Sequence, residues 1–153
     1  MTGHTNPQVA TAYDAALRLL SRREHSRREL QAKLQLRAYE PQQIEQALDR
    51  LSEQDYLSDR RFAEAYAAER VAKGFGELRI EAELRERGID RAATSAALEP
   101  FAGRWESSLA ELLRRKFGAD APADRQEWHK RARFVQSRGF RADSIRRVLG
   151  DYE

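Results

Sequence analysis

The basic side chains are the residues whose type and spacing best suit a chemical task here, because Arg and Lys are the donors that bind phosphate. Residues 104–153 hold twelve Lys and Arg against eight Asp and Glu, a net charge of +4 where the whole chain carries +3. We predict that nine of them form a DNA-binding face: Arg114, Arg115, Lys116, Lys130, Arg133, Arg138, Arg141, Arg146 and Arg147. The alternative is a solvated face neutralised by Glu127, Asp143 and Asp151.

A second basic set lies in the middle of the chain and comprises Arg60, Arg61, Arg70, Lys73 and Arg79. These side chains could meet either phosphate or the acidic surface of a protein partner, and we assign them to partner binding. The first third has four arginines that straddle a turn, where a solvent role is the simpler interpretation: Arg22, Arg23, Arg27 and Arg28.

The residue types that catalyse reactions or ligate metals do not occur at the spacings that such sites require. The histidines His4, His25 and His129 are scattered, cysteine is absent, and no pair of histidines has the spacing of metal ligands on a helix. The sequence also lacks a Walker loop, a nucleophile elbow and a GxGxxG motif. We therefore predict a protein that is not an enzyme and needs no cofactor or metal.

Five aromatic residues near the basic segment could stack on single-stranded bases: Trp105, Trp128, Phe134, Phe140 and Tyr152. At helical spacing such residues are more often part of a core. Phe134 is the best candidate for stacking, because its neighbour Val135 already takes the inward position.

The elements that carry these side chains are predicted to be helices throughout. Gly and Pro number only 8 and 4, and no stretch shows the alternating pattern of a strand. Helix starts are predicted at five places: Asn6-Pro7, the Ser26/Glu29 capping box, Pro41, Ser58 and Asp90. Phe62, Ala65 and Tyr66 are the expected inner stripe after Ser58, and the GFG at 74–76 is interpreted as the stop of that helix.

The helices repeat. Equivalent apolar stripes recur at offsets of 50 and 51 residues: Ile44/Leu48/Leu51, Thr94/Leu98/Phe101 and Ile145/Leu149/Tyr152. Any helical protein has such stripes, but the residues flanking them match as well. One unit of about 45–50 residues buries too little surface to be robust alone, whereas stacked units share stability. We predict an all-α protein of three tandem three-helix repeats, 7–55, 56–103 and 104–153, stacked into an elongated, curved molecule.

The middle of the sequence resembles a known family. The stretch "YLSDRRFAEAYAAERVAKGFGELRIEAELRERGI", residues 56–89, is similar to the central repeat of the RecX family, regulators of the RecA recombinase. The matching residues include Tyr56-Leu57, Phe62-Ala63, Gly74 with Gly76, and Gly88-Ile89. Two departures are mild: Ala38 stands where a glycine is usual, and Thr94 replaces a larger apolar residue.

The resemblance implies three helical repeats, no catalytic residues, binding to RecA–DNA filaments, restraint of strand exchange and ATP hydrolysis, and some affinity for single- and double-stranded DNA. Two other classes stay open, a helical DNA-binding protein without a recombinase partner and a scaffold that meets only proteins. No apolar run approaches the roughly 18 residues of a membrane span, and the N-terminus does not look like a signal peptide. We therefore expect a cytoplasmic protein, monomeric or a swapped dimer.

Overall fold

The computed structural model describes residues 11–151, and every regular element in that range is helical. The first three helices are α1 (Ala12–Arg22), α2 (Arg27–Leu36) and α3 (Pro41–Glu53). They are followed by α4 (Asp59–Ala72), α5 (Glu77–Glu86), α6 (Arg91–Leu98) and a short 3-10 turn (Glu99–Phe101). The last three are α7 (Trp105–Phe117), α8 (Arg125–Ser137) and α9 (Ala142–Leu149). The predicted all-α class is confirmed for the described residues.

Four helices, α2, α3, α4 and α6, begin where the sequence predicts a start. At α2, the Ser26 hydroxyl accepts the N–H of Glu29 and the Glu29 carboxylate accepts the N–H of Ser26, both at 3.1 Å. Pro41 is the first residue of α3. Ser58 and Asp90 each accept one backbone N–H at the starts of α4 and α6, without the reciprocal bond of a capping box. These side chains satisfy N–H groups that a helix start leaves without partners, which fixes the boundaries.

The predicted start of the first helix is wrong. Helix α1 begins at Ala12, because Thr11 is extended and its hydroxyl accepts the N–H of Asp14 at 3.1 Å. The predicted starting residues Asn6 and Pro7 lie outside the described residues.

The predicted inner stripe of α4 also needs correction. Ala65 is exposed, whereas Ala63 and Ala67 are fully buried beside Phe62. Phe62, Ala63 and Ala67 form the face of α4 that packs on the core. Ala65 lies on the opposite face of the helix, toward solvent. Small residues on the face that packs on the core let α4 pack closely against α6.

Each three-helix unit has a small core of its own, and the first and third helices of each unit pack on one another. The three equivalent leucines occupy these cores to different depths. Leu48 is 1% exposed and Leu98 is 9% exposed, while Leu149 is half-buried against the third core. Trp105 packs against both the second and the third core. The units otherwise meet through helix starts and turns.

Candidate nucleic-acid and partner interface

The second and third units join through main-chain hydrogen bonds. The N–H of Gly76 donates to the carbonyl of Arg138 at 2.7 Å, and the N–H of Leu78 donates to the carbonyl of Gly139 at 2.9 Å. Gly76 has no side chain to cap α5, so the turn between α8 and α9 satisfies these N–H groups instead. The start of α5 therefore depends on the next unit.

The backbones at this junction approach so closely that glycine is required. A Cβ on Gly76 would lie 2.5 Å from the carbonyl carbon of Gly139, and a Cβ on Gly139 would lie 2.3 Å from Cβ of Arg79. The predicted helix stop is confirmed at Gly74, whose φ is 87°. The inter-unit role of Gly76 was missed in the sequence, where GFG is explained by the stop alone.

Phe75, which lies between Gly74 and Gly76, is surrounded by guanidinium groups from both units. Arg70 lies 3.6 Å and Arg79 4.6 Å from the ring centroid, and Arg138 of the third unit lies 4.8 Å away. Arg79 also donates to the carbonyl of Ser137 at 3.2 Å. Two of the five predicted partner-binding residues thus pack against the junction.

A carboxylate beneath the junction anchors Arg70. Glu83 accepts from Arg70 at 2.8 Å and from the Tyr66 hydroxyl at 2.6 Å. Burial alone would raise the pKa of Glu83, but the hydrogen bonds from Tyr66 and Arg70 outweigh it and hold that pKa below its usual range. Burial and the bond to Glu83 raise the pKa of Tyr66 to about 12. Arg70 and Glu83 are each less than one-fifth exposed, so this pair is structural.

The other three predicted partner-binding residues form ion pairs that are more exposed than the Arg70–Glu83 pair. Arg60 pairs with Glu64 at 3.1 Å and Lys73 with Glu69 at 2.8 Å, each one helical turn away on an exposed face. Arg61 instead bridges to the first unit, where it meets Glu24 at 3.0 Å, and also contacts Asp55 at 3.2 Å.

The nine predicted DNA-binding residues fall into paired and unpaired groups. Arg114 and Arg115 share Glu111, at 2.8 and 3.1 Å. Arg147 reaches Glu106 at 2.8 Å. Carboxylates therefore compete with phosphate for these three arginines.

Two more of the nine are also paired. Arg141 binds Glu77 of the second unit at 2.8 Å, which adds an ion pair to the junction. Arg146 lies 3.7 Å from Asp143 on its own helix, and both side chains are exposed.

Lys130 and Arg133 are exposed on α8 and form no ion pair with any residue between 11 and 151. They line a shallow groove together with Phe117, Asp124, Gln126 and Glu127. The exposed cations of Lys130 and Arg133 are therefore accessible to an anionic ligand.

Lys73, directly after α4, and Arg115 of α7 line one cleft between the second and third units, beside Gly74 and Leu112. Assigned separately to partner and DNA binding, these two cations are brought together by the fold. Sequence spacing gives no sign of this, because 42 residues separate them.

Sequence reasoning missed Arg131, which is 6% exposed. It donates to Glu127 at 2.6 Å and to the carbonyl of Asp120 at 2.8 Å, and so ties the connection between α7 and α8 to α8. Its one usable signal is the four-residue spacing from Glu127, which places both side chains on one face of the helix.

The aromatic candidates for base stacking differ in how deeply they are packed in the structure. Phe140 is 2% exposed, Trp105 packs between two cores, and the Trp128 indole donates to the carbonyl of Leu149 at 3.4 Å. Phe134 is half-buried at the rim of the third core. Tyr152 lies outside the described residues.

Within residues 11–151, no three His, Asp or Glu side chains gather as metal ligands would. In that same range, no helix combines the length and apolar character needed to cross a membrane.

Comparison with known proteins gives matches along most of the chain. Models of the first, second and third three-helix domains of RecX match residues 12–51, 58–98 and 106–149. Regulatory protein RecX of Halorhodospira halophila is 44% identical over 133 residues, which cover 87% of this chain and 83% of that protein. Regulatory protein RecX of Pseudomonas fluorescens is 45% identical over 134 residues, covering 88% of this chain and 86% of that protein.

Solved structures agree with these matches. The crystal structure of RecX from Lactobacillus salivarius is 25% identical and superposes with a TM-score of 0.74, covering 90% of this chain and 92% of that one. A second crystal structure of regulatory protein RecX has a TM-score of 0.77 and covers 92% of this chain and 72% of that one. At 21% identity, this second likeness concerns the fold alone.

Proposed function

The chain belongs to the RecX family, and we propose that it regulates the RecA recombinase by binding RecA–DNA filaments, without catalysing a reaction of its own. The observation that carries the proposal is the match of all three domains in order, from residue 12 to residue 149. Because RecA works on chromosomal DNA, the proposed place of action is the cytoplasm.

Three units in series suit a long, repetitive partner, since each unit can supply part of one extended surface. In this proposal, Arg60 and Lys73 meet acidic groups of the filament. Their present partners, Glu64 and Glu69, are exposed residues of α4, and exposed pairs of this kind contribute little to stability. Exchange for a partner carboxylate therefore costs little.

The regulatory effect would come from unequal affinity for two states of the filament. A protein that binds one filament conformation better than the others shifts the population toward it, by as much as the difference in binding free energy. We propose that the favoured conformation is less active, so that ATP hydrolysis and strand exchange fall.

Direct contact with DNA is the second part of the proposal, and the unpaired Lys130 and Arg133 support it. Each phosphate contact releases a counterion, so DNA affinity should fall steeply with salt. Changing Lys130→Ala and Arg133→Ala together should flatten the log–log salt dependence on single strands by about 1.4, twice the value per contact. The exposed pair Arg18→Ala and Arg22→Ala removes the same charge from α1 and should leave the slope unchanged. Equal slopes in all three proteins would remove α8 from the DNA-binding face.

A helical DNA-binding protein without a recombinase partner is the alternative. Titration onto DNA alone and onto preformed RecA–DNA filaments separates the two. We expect tighter binding to the filament. Equal affinity for both would favour the alternative, and binding to RecA with no affinity for DNA would favour a protein scaffold.

A further inference from the structure

Cations and aromatic rings alternate across the junction of the second and third units. The order is Lys116, Phe134, Arg138, Phe75 and Arg79, hereafter the cation–aromatic row. Lys116 and Arg138 lie 5.5 and 5.3 Å from the Phe134 centroid, and Arg138 and Arg79 lie 4.8 and 4.6 Å from that of Phe75. Arg138 is thus shared between two rings.

The two rings differ in exposure. Phe75 is 9% exposed and serves as packing, whereas Phe134 is half-buried at the surface. The core does not need Phe134 on its inner side, because Val135 is fully buried there. Phe117 meets Phe134 edge to face, with centroids 5.6 Å apart, and this contact holds the ring in place from one side.

The surroundings of Phe134 are cationic on both sides. Lys116 and Arg138 flank the ring, and the groove bounded by Phe117 carries Lys130 and Arg133 beside the carboxylates of Asp124 and Glu127. An aromatic ring set among such cations is the combination used for single strands, where bases stack on the ring and phosphates meet the cations.

We infer that Phe134 is a stacking platform for one base of a single-stranded nucleic acid, with Lys116, Arg138 and the Lys130/Arg133 pair on the flanking phosphates. The inference rests on the proposed function and names the form of nucleic acid that the third unit takes. Lys116 is exposed and would leave the ring for a phosphate, which frees space for the base.

A single strand fits this site better than a duplex. In a duplex each base already stacks on its neighbours, so no base face is open to a side chain. Stacking depends on the π-face that every base has, and the site should therefore tolerate any sequence.

The junction holds the site ready for the strand. The carbonyls of Arg138 and Gly139 accept from the backbone N–H groups of the second unit, so the turn carrying Arg138 is fixed. A cation held in place before binding loses little freedom on binding, which favours affinity.

The test compares a dT oligonucleotide of about eight nucleotides with an abasic strand of the same length, which keeps the phosphates and lacks the bases. The parent should bind dT about tenfold more tightly than the abasic strand. Phe134→Leu keeps an apolar side chain against Phe117 but removes the ring, and should lose most of this preference. Phe101→Leu, at a half-buried ring of the second unit, should keep it.

The outcomes are distinct. A parent that binds both strands equally, or a Phe134→Leu variant that keeps the preference, overturns the inference and leaves the proposed DNA contact standing. A parent that binds neither strand overturns both. If Phe134→Leu fails to fold, Phe134→Trp replaces it, and the difference between its emission and that of the parent, which contains Trp105 and Trp128, should change on dT and not on the abasic strand. An emission that responds to both strands alike contradicts stacking.

Discussion

The first and second units differ at the same place, where their middle helices begin. His25 and Ser26 in the first unit correspond to Phe75 and Gly76 in the second, fifty residues later. Ser26 closes its own capping box, whereas Gly76 takes its hydrogen-bond partners from the following unit. The start of α2 therefore has a capping box of its own and takes only the Arg27 N–H acceptor from the next unit, whereas the start of α5 has no side-chain cap and takes main-chain acceptors from its neighbour.

The two junctions differ accordingly. Between the first and second units, the contacts use side chains: Asp59 accepts the N–H of Arg27 at 2.8 Å, and Arg61 meets Glu24 at 3.0 Å. Between the second and third units, main chain meets main chain, and Gly139 is buried. We interpret the second junction as the more rigid of the two, because main-chain hydrogen bonds do not depend on side-chain rotamers as the contacts of the first junction do.

The turn that follows each middle helix explains a departure in the sequence. A Cβ on Gly88 would lie 2.9 Å from Arg28, and a Cβ on Gly139 would lie 2.3 Å from Arg79, each on the preceding unit. Ala38 has the equivalent position in the first unit, with φ 64°, and no described unit precedes it. An alanine is therefore tolerated where the later units need glycine.

The largest expected effect comes from Gly139→Ala, which sharpens the contrast between junctions. The new Cβ would meet the backbone of Arg79, and φ at this residue is 95°, so the free energy of unfolding should fall by roughly 2–5 kcal/mol. Hydrogen exchange at the N–H groups of Gly76 and Leu78 should accelerate.

Gly103→Ala is the control for backbone strain. Its φ is 82°, but a Cβ there would meet nothing within 4 Å, so the cost should be about 1–2 kcal/mol. Denaturant unfolding of both variants gives the difference. Equal costs would mean that close approach at the junction contributes nothing.

A smaller effect is expected from Asp59→Ala at the first junction. It leaves the partly buried N–H of Arg27 without its acceptor and should cost about 1 kcal/mol. Asp59→Asn retains an acceptor oxygen and should recover most of the loss. If Asp59→Ala destabilised the protein as much as Gly139→Ala, the ranking of the two junctions would be contradicted.

The smallest effect concerns pH and the buried His25, which is 1% exposed. Burial, aided by the charges of Arg23 and Lys33, lowers the pKa of His25 despite its bond to the Arg23 carbonyl. The unfolded chain therefore binds a proton more readily, and stability should fall as pH drops below the ordinary histidine pKa of about 6.5.

Unfolding of the parent and of His25→Gln between about pH 7.5 and 5 tests this prediction, because most carboxylates keep their charge in that range. The parent should lose stability toward pH 5, and the variant should show a flatter profile. A parent profile as flat as that of the variant would contradict the assignment of a neutral, buried imidazole.

Sequence patterns predicted correctly the features that depend on residues close together in the chain. Capping by Ser26, Ser58 and Asp90, and burial of Leu48 and Leu98, follow from spacing within one unit. The patterns could not predict contacts that the stacking of units creates.

Ion pairs show this limit most clearly. Arg141 with Glu77 and Arg61 with Glu24 join residues of different units that lie 64 and 37 positions apart, with no periodic signal to connect them. The same holds for the cation–aromatic row, which assembles only when the Gly76 and Gly139 backbones meet. Exposure of Lys130 and Arg133 was predictable because it depends on one helix.

The most direct test of the central claim is DNA-dependent ATP hydrolysis by RecA from the same organism, on preformed filaments with saturating DNA. The parent should lower turnover at or below an equimolar ratio to RecA. The double variant Lys130→Glu and Arg133→Glu, which reverses the two unpaired cations, should need a higher ratio for the same decrease. Unchanged turnover with a folded parent protein would contradict regulation of RecA by this chain.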